Sequence, residues 1–155
     1  MTFVYKEKLM EQLRKRLKLS SIIVLLFAGI YLVELVCELM FGDLNNAEIP
    51  EGSPDGILMI TKIILLVVSL VLLLPQIYVG VKGMRIAKNP NSSKGHIIWA
   101  IILLVIAVIN LIDPIVGLIN NGGVYDNLTT FFSVVLEITI YYDYIKYARA
   151  VAKAA

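Results

Sequence analysis

The chain has little of what a soluble enzyme needs. One cysteine in 155 residues, Cys37, excludes an internal disulfide and any site built from several thiolates. One histidine, His96, leaves no His-based dyad or metal cluster. Charged residues make up only 17% of the chain and hydrophobic residues 59%, with a mean hydropathy of +0.83. A soluble domain carries about a quarter charged residues, so this balance points to lipid as the solvent and excludes a disordered chain. A formal net charge of +2 is too small for a nucleic-acid binder, so no nucleic-acid partner is expected. Walker A, Gly-x-Ser-x-Gly and His-Glu-x-x-His motifs are all missing. The expectation is a non-enzyme with no catalytic residue and no cofactor.

What the chain does have is long apolar runs, at residues 19–41, 57–81, 97–119 and 128–147. Each is long enough for a hydrocarbon core, which takes roughly 20 helical residues. Backbone polar groups in lipid must be paired within the segment, so the runs are predicted to be helices. The first run is expected to be a retained span rather than a signal peptide: it is longer than the usual apolar region, contains Glu34 and Glu38, and lacks a small-residue cleavage site after it. The expected architecture is an all-α integral membrane protein with four transmembrane helices in a bundle, spanning residues 19–147. A cationic amphipathic segment, residues 1–18, precedes it, and a short tail, residues 148–155, follows. Leu9, Leu13 and Leu17 form one face of the leading segment, which suits it to lie on the inner leaflet or to continue the first span.

Charge then predicts orientation. Of the 14 Lys and Arg residues, 13 fall before the first span, between the second and third, or after the fourth, with Lys62 the exception. The opposite loops, residues 42–56 and 120–127, carry Asp43, Glu48, Glu51, Asp55 and Asp126 but no basic residue. The positive-inside rule puts both termini in the cytoplasm. Tyr78, Trp99, Tyr141, Tyr142, Tyr144 and Tyr147 gather toward that side, where rings anchor helices at the interface. Asn127-Leu128-Thr129 matches a glycosylation sequon but abuts the membrane and carries little weight.

An internal repeat is also suggested. Tyr78, Val81, Lys82 and Arg85 are echoed by Tyr142, Ile145, Lys146 and Arg149, and Glu38 and Gly42 by Asp113 and Gly117. This pattern fits two repeated helical hairpins related by an axis along the membrane normal, although topology selection alone also places Lys and Arg there.

The most informative residues are those that lipid rejects. Tyr31, Glu34 and Glu38 share a face of the first run, and Lys62, Ser69 and Gln76 recur at every seventh position of the second. Asn110, Asp113 and Gly117 line up in the third, and Ser133, Glu137 and Tyr141 in the fourth. One polar line per helix is what a bundle with a polar interior needs. Glu34, Glu38, Lys62, Asn110, Asp113 and Glu137 are therefore the candidate ligand- or ion-binding residues, in the outer half. Lys62 can neutralise one carboxylate. The others call for protonation, water or a bound cation, each charge costing roughly 2.5–3.5 kcal/mol at such depth. The metal, if any, is left open, with hard cations suited to oxygen ligands. The alternative is a Lys62–acid pair with the other acids wetted at the outer interface. Pro75 and Pro114 add kinks inside the spans, and Cys37 reads as a small buried hydrophobe.

Lys82, Arg85, Lys146 and Arg149 are candidates for anionic lipid headgroups at the cytoplasmic face, or simply topology anchors. The expected partners are the bilayer, those headgroups, and a second copy of the chain or a larger membrane complex. The expected location is a prokaryotic cell membrane, multi-pass. The leading functional expectation is a small transporter or channel-like protein for a cation, a proton or a cationic solute. A non-catalytic accessory or scaffold subunit is the alternative, and a lipid-modifying enzyme a distant third.

Overall fold

The computed structural model describes residues 2–41, 57–89, 94–120 and 124–154. Among them the chain is all-helical, ordered α1 (Thr2–Phe41), α2 (Ile57–Lys88), α3 (Gly95–Asn110), α4 (Ile112–Ile119) and α5 (Val124–Ala154). The acids of residues 42–56, the turn at 90–93 and the Asn-Gly-Gly stretch at 121–123 lie outside the described residues.

Among the described residues, three stretches are long and apolar enough to cross a membrane, Lys6–Phe41, Met59–Lys88 and Gly95–Ile119. Their outward faces are apolar: Leu26 is 61% exposed, Val33 62%, Met59 68% and Leu74 63%. So much continuous apolar surface is untenable in water and ordinary in lipid. The chain is a helical membrane protein. The fourth run behaves differently from the other three. Thr129, Thr130, Ser133, Glu137, Thr139 and Asp143 dilute it, and α5 does not reach the apolarity of the others.

α1 and α2 pack along their length, α5 packs on α1, α3 and α4, and α3 closes on α2. The contacts give directions. Arg16 meets Tyr147 while Tyr31 meets Glu137, so α1 and α5 are antiparallel. Successive arms thus run up and down around a shared interior, as short connections favour. α1 is unbroken from Thr2 to Phe41, so residues 1–18 beyond Met1 belong to the same helix as the first apolar run. Leu17 is fully buried and Leu13 packs on the core, while Leu9 is 45% exposed.

The third arm breaks at Leu111. Pro114 has no N–H for the Asn110 carbonyl, and its ring would crowd that carbonyl in a continuous helix. The chain instead tightens, with Leu111 N–H donating to the Val108 carbonyl at 3.3 Å, and restarts as α4. Pro75 lies within α2, which continues across it. The two hairpins therefore differ in detail, since α1 has no counterpart of the Leu111 break.

The dense core sits at the end where the cationic residues gather. Leu17 and Val24 of α1, Val79 and Ile86 of α2, Ala100 and Leu103 of α3, and Tyr144 and Val151 of α5 are buried there. Small residues let the backbones approach. A side chain at Gly83 would overlap the Ser21 hydroxyl and the Tyr144 ring, and one at Gly80 would meet Leu25. Ser21 satisfies itself by donating to the Leu17 carbonyl at 2.7 Å.

Two expectations about burial are corrected. Tyr141 and Tyr144 are not interfacial anchors: they are 2% and 0% exposed, because α5 turns that edge into the core. Their hydroxyls find partners there, as buried tyrosines require, Tyr144 donating to the Val79 carbonyl at 3.0 Å. Tyr78, Trp99 and Tyr142 remain on the surface. Cys37 is exposed rather than buried, since it falls on the outward side of α1 next to Val36.

Candidate functional site

The other end of the bundle is looser, and a cavity of about 350 Å³ opens between the helices. That is within the usual range for a small-molecule pocket. α1 contributes Tyr31, Glu34, Leu35 and Glu38, which the i, i+3, i+4 and i+7 spacing stacks on one face. α2 contributes Ser69, Leu72, Leu73 and Gln76 by the same periodicity. Leu103, Ile106 and Asn110 come from α3, and Glu137 from α5. The walls are therefore mostly leucine and isoleucine, with polar groups set among them.

Glu137 is the buried acid, 7% exposed. The Tyr31 hydroxyl donates to its Oε2 at 2.8 Å across the α1–α5 gap, and Tyr141 of its own helix also hydrogen-bonds it. Glu34 and Glu38 lie more openly along α1. Gln76 is buried at 7% exposure, and its Oε1 has no hydrogen-bond partner. Among the described residues that line it, the charged ones are Glu34, Glu38 and Glu137, with no Lys, Arg or His.

Of the six residues expected from sequence, Glu34, Glu38, Asn110 and Glu137 meet at this cavity. Lys62 and Asp113 do not line it. Lys62 is half-buried on α2, seven residues before Ser69 and so about 10 Å further along the helix. Asp113 is exposed in the first turn of α4, because the break at Leu111 turns it away from the line that Asn110 begins. Ser133 is likewise exposed and outside the lining, whereas Glu137 and Tyr141 of the same line turn inward. Gly117 is occupied differently again: it abuts the side chain of Asn127, the asparagine of the sequon, where α4 packs on α5.

Among the described residues no group of three or more His, Cys, Asp or Glu side chains stands close enough to hold a metal ion. The acids line a shared space without converging on a point. Tyr31, Ser69 and Gln76 are polar lining residues outside the set of six expected from sequence, although each stands on one of the polar lines, Tyr31 with Glu34 and Glu38 and Ser69 with Gln76.

Lys82, Arg85, Lys146 and Arg149 lie at the opposite end, the last three exposed and Lys82 half-buried. Arg16 joins them there, donating to the Tyr147 hydroxyl at 2.9 Å and lying 5.7 Å from the ring centroid. His96 is buried edge-on against Tyr144, with centroids 6.0 Å apart.

These features define a class, a helical membrane protein with an acidic, partly apolar cavity at one end. Compared with protein-family models, curated proteins and solved structures, the chain matches none.

Proposed function

We propose that the chain is a small polytopic transporter or channel-like protein, and that it binds a cationic solute in the acidic cavity. In this reading α5 is the fourth span, its polar residues tolerated because Glu137, Tyr141 and Tyr144 face other helices rather than lipid. Both termini are cytoplasmic by the charge bias, which puts the cavity in the outer half and the Lys82, Arg85, Lys146 and Arg149 group against anionic headgroups of the inner leaflet. The observation that carries the reading is the lining itself: three carboxylates, no cationic side chain, and apolar walls. Ionisable residues inside a span mark ligand or ion pathways by default. The spread of the acids and the size of the space favour a solute with a body over a bare metal ion, which needs convergent ligands.

The test is calorimetric titration of the protein in zwitterionic nanodiscs with phenethyltrimethylammonium and with neutral 2-phenylethanol, subtracting empty discs. Saturable binding of the cation alone, weakened about tenfold or more by Glu137→Gln, is the expected result, an effect of about 1.4 kcal/mol. Equal partitioning of cation and alcohol, indifferent to Glu137→Gln, would sink the proposal and leave a scaffold role in front.

A further inference from the structure

Gln76 narrows the ligand, and the argument rests on the cation-binding reading above. Its amide oxygen is buried, accepts no hydrogen bond, and belongs to a side chain that lines the cavity. A buried acceptor left unmet is costly, and native interiors rarely leave one. The last torsion of a glutamine is broad, so Oε1 can turn to the space that the side chain lines.

The donors among the described lining residues do not meet this need. The Tyr31 O–H is committed to Glu137, and neither the Ser69 hydroxyl nor the Asn110 amide bonds Gln76 Oε1. Ionised to hold a cation, as the reading above requires, Glu34, Glu38 and Glu137 accept only and add no donor. The polar lining is thus rich in acceptors, and what it lacks is a hydrogen-bond donor carrying positive charge. The walls formed by Leu35, Leu72, Leu73 and Leu103 ask at the same time for an apolar body.

We infer that the cavity takes an organic ammonium ion with at least one N–H and a compact apolar body, the N–H donating to Gln76 Oε1 and the charge facing Glu137. A quaternary ammonium brings the charge but no donor. It therefore satisfies the acids and leaves Gln76 unmet.

The experiment compares phenethylammonium with phenethyltrimethylammonium by the same titration in nanodiscs. The two share a ring, a tether and a charge, and they differ in N–H groups. The wild-type protein is expected to bind the primary ion about tenfold tighter, the scale of one hydrogen bond to a charged donor. In Gln76→Leu that preference should fall below about threefold, with binding of the quaternary ion little changed. Equal affinities in the wild-type protein, with Glu137→Gln weakening both, overturn the inference while the cation site stands; a water-filled vestibule gives that outcome. A preference that survives Gln76→Leu overturns it as well. If neither cation binds saturably, the inference and the cation site fall together. The wild-type comparison decides even where Gln76→Leu does not fold.

Discussion

The hydrogen bond from Tyr31 to Glu137 ties α1 to α5 at the cavity, and a double-mutant cycle measures it. Tyr31→Phe removes one donor from a carboxylate that keeps Tyr141, so the single change should cost about 0.5–1.5 kcal/mol. Glu137→Leu removes the acceptor from both hydroxyls. Tyr141 is 2% exposed, and a buried group orphaned in this way costs about 1–3 kcal/mol. Tyr31 sits nearer the opening at 38% exposed and loses less. Once Glu137 is gone, Tyr31→Phe removes a hydroxyl with nothing left to bond, and its cost should fall to about zero or change sign. The coupling energy is the difference. Interhelical hydrogen bonds in membranes average about 0.6 kcal/mol and reach about 1.7, and the 2.8 Å geometry with an acidic acceptor places this one in the upper half. The assay is reversible unfolding in mixed micelles, followed by far-ultraviolet circular dichroism on the wild type, both singles and the double. A coupling below about 0.3 kcal/mol, the scatter of independent sites, would refute the α1–α5 contact.

Two further outcomes follow from the packing and the cavity boundary. Gly83→Ala should destabilise the protein by about 1–3 kcal/mol, because its new methyl meets Ser21 and Tyr144 in the core. Gly29→Ala, with nothing within 4 Å of the added carbon, should be neutral or gain up to about 1 kcal/mol from helix propensity, and the same unfolding assay reads both. Lys62→Met and Asp113→Asn should leave the affinity for phenethyltrimethylammonium within about threefold of wild type, since neither residue lines the cavity. A loss in either variant as large as that of Glu137→Gln would put the sequence-based cluster back in place of the cavity.

The polar lines show how far periodicity reaches. Tyr31, Glu34 and Glu38 share a face because a regular helix makes them do so, and α1 is regular there. Asn110 and Asp113 share a face only while the helix continues, and Pro114 ends it between them. Lys62, Ser69 and Gln76 do share a stripe, yet a stripe runs the length of a helix while a cavity occupies one depth, so Lys62 falls beyond it.

By itself the sequence determined the solvent and the helices. Apolar runs of spanning length admit few structures in lipid, because every backbone N–H and C=O must be paired locally. The gathering of cationic residues toward one end, and the presence of acids toward the other, were also legible, since charge is a one-dimensional property of the chain. Only the tertiary structure decided which side of each helix turned inward. α5 could have shown its tyrosines to the interface, but its packing on α1 and α3 buried Tyr141 and Tyr144 and left Tyr142 outside. The same packing set Gln76 beside the acids and turned Cys37, Asp113 and Ser133 away. In lipid an apolar face gains little by choosing protein over solvent, so helix rotation is decided by close approach at Gly80 and Gly83 and by hydrogen bonds such as Tyr31 to Glu137.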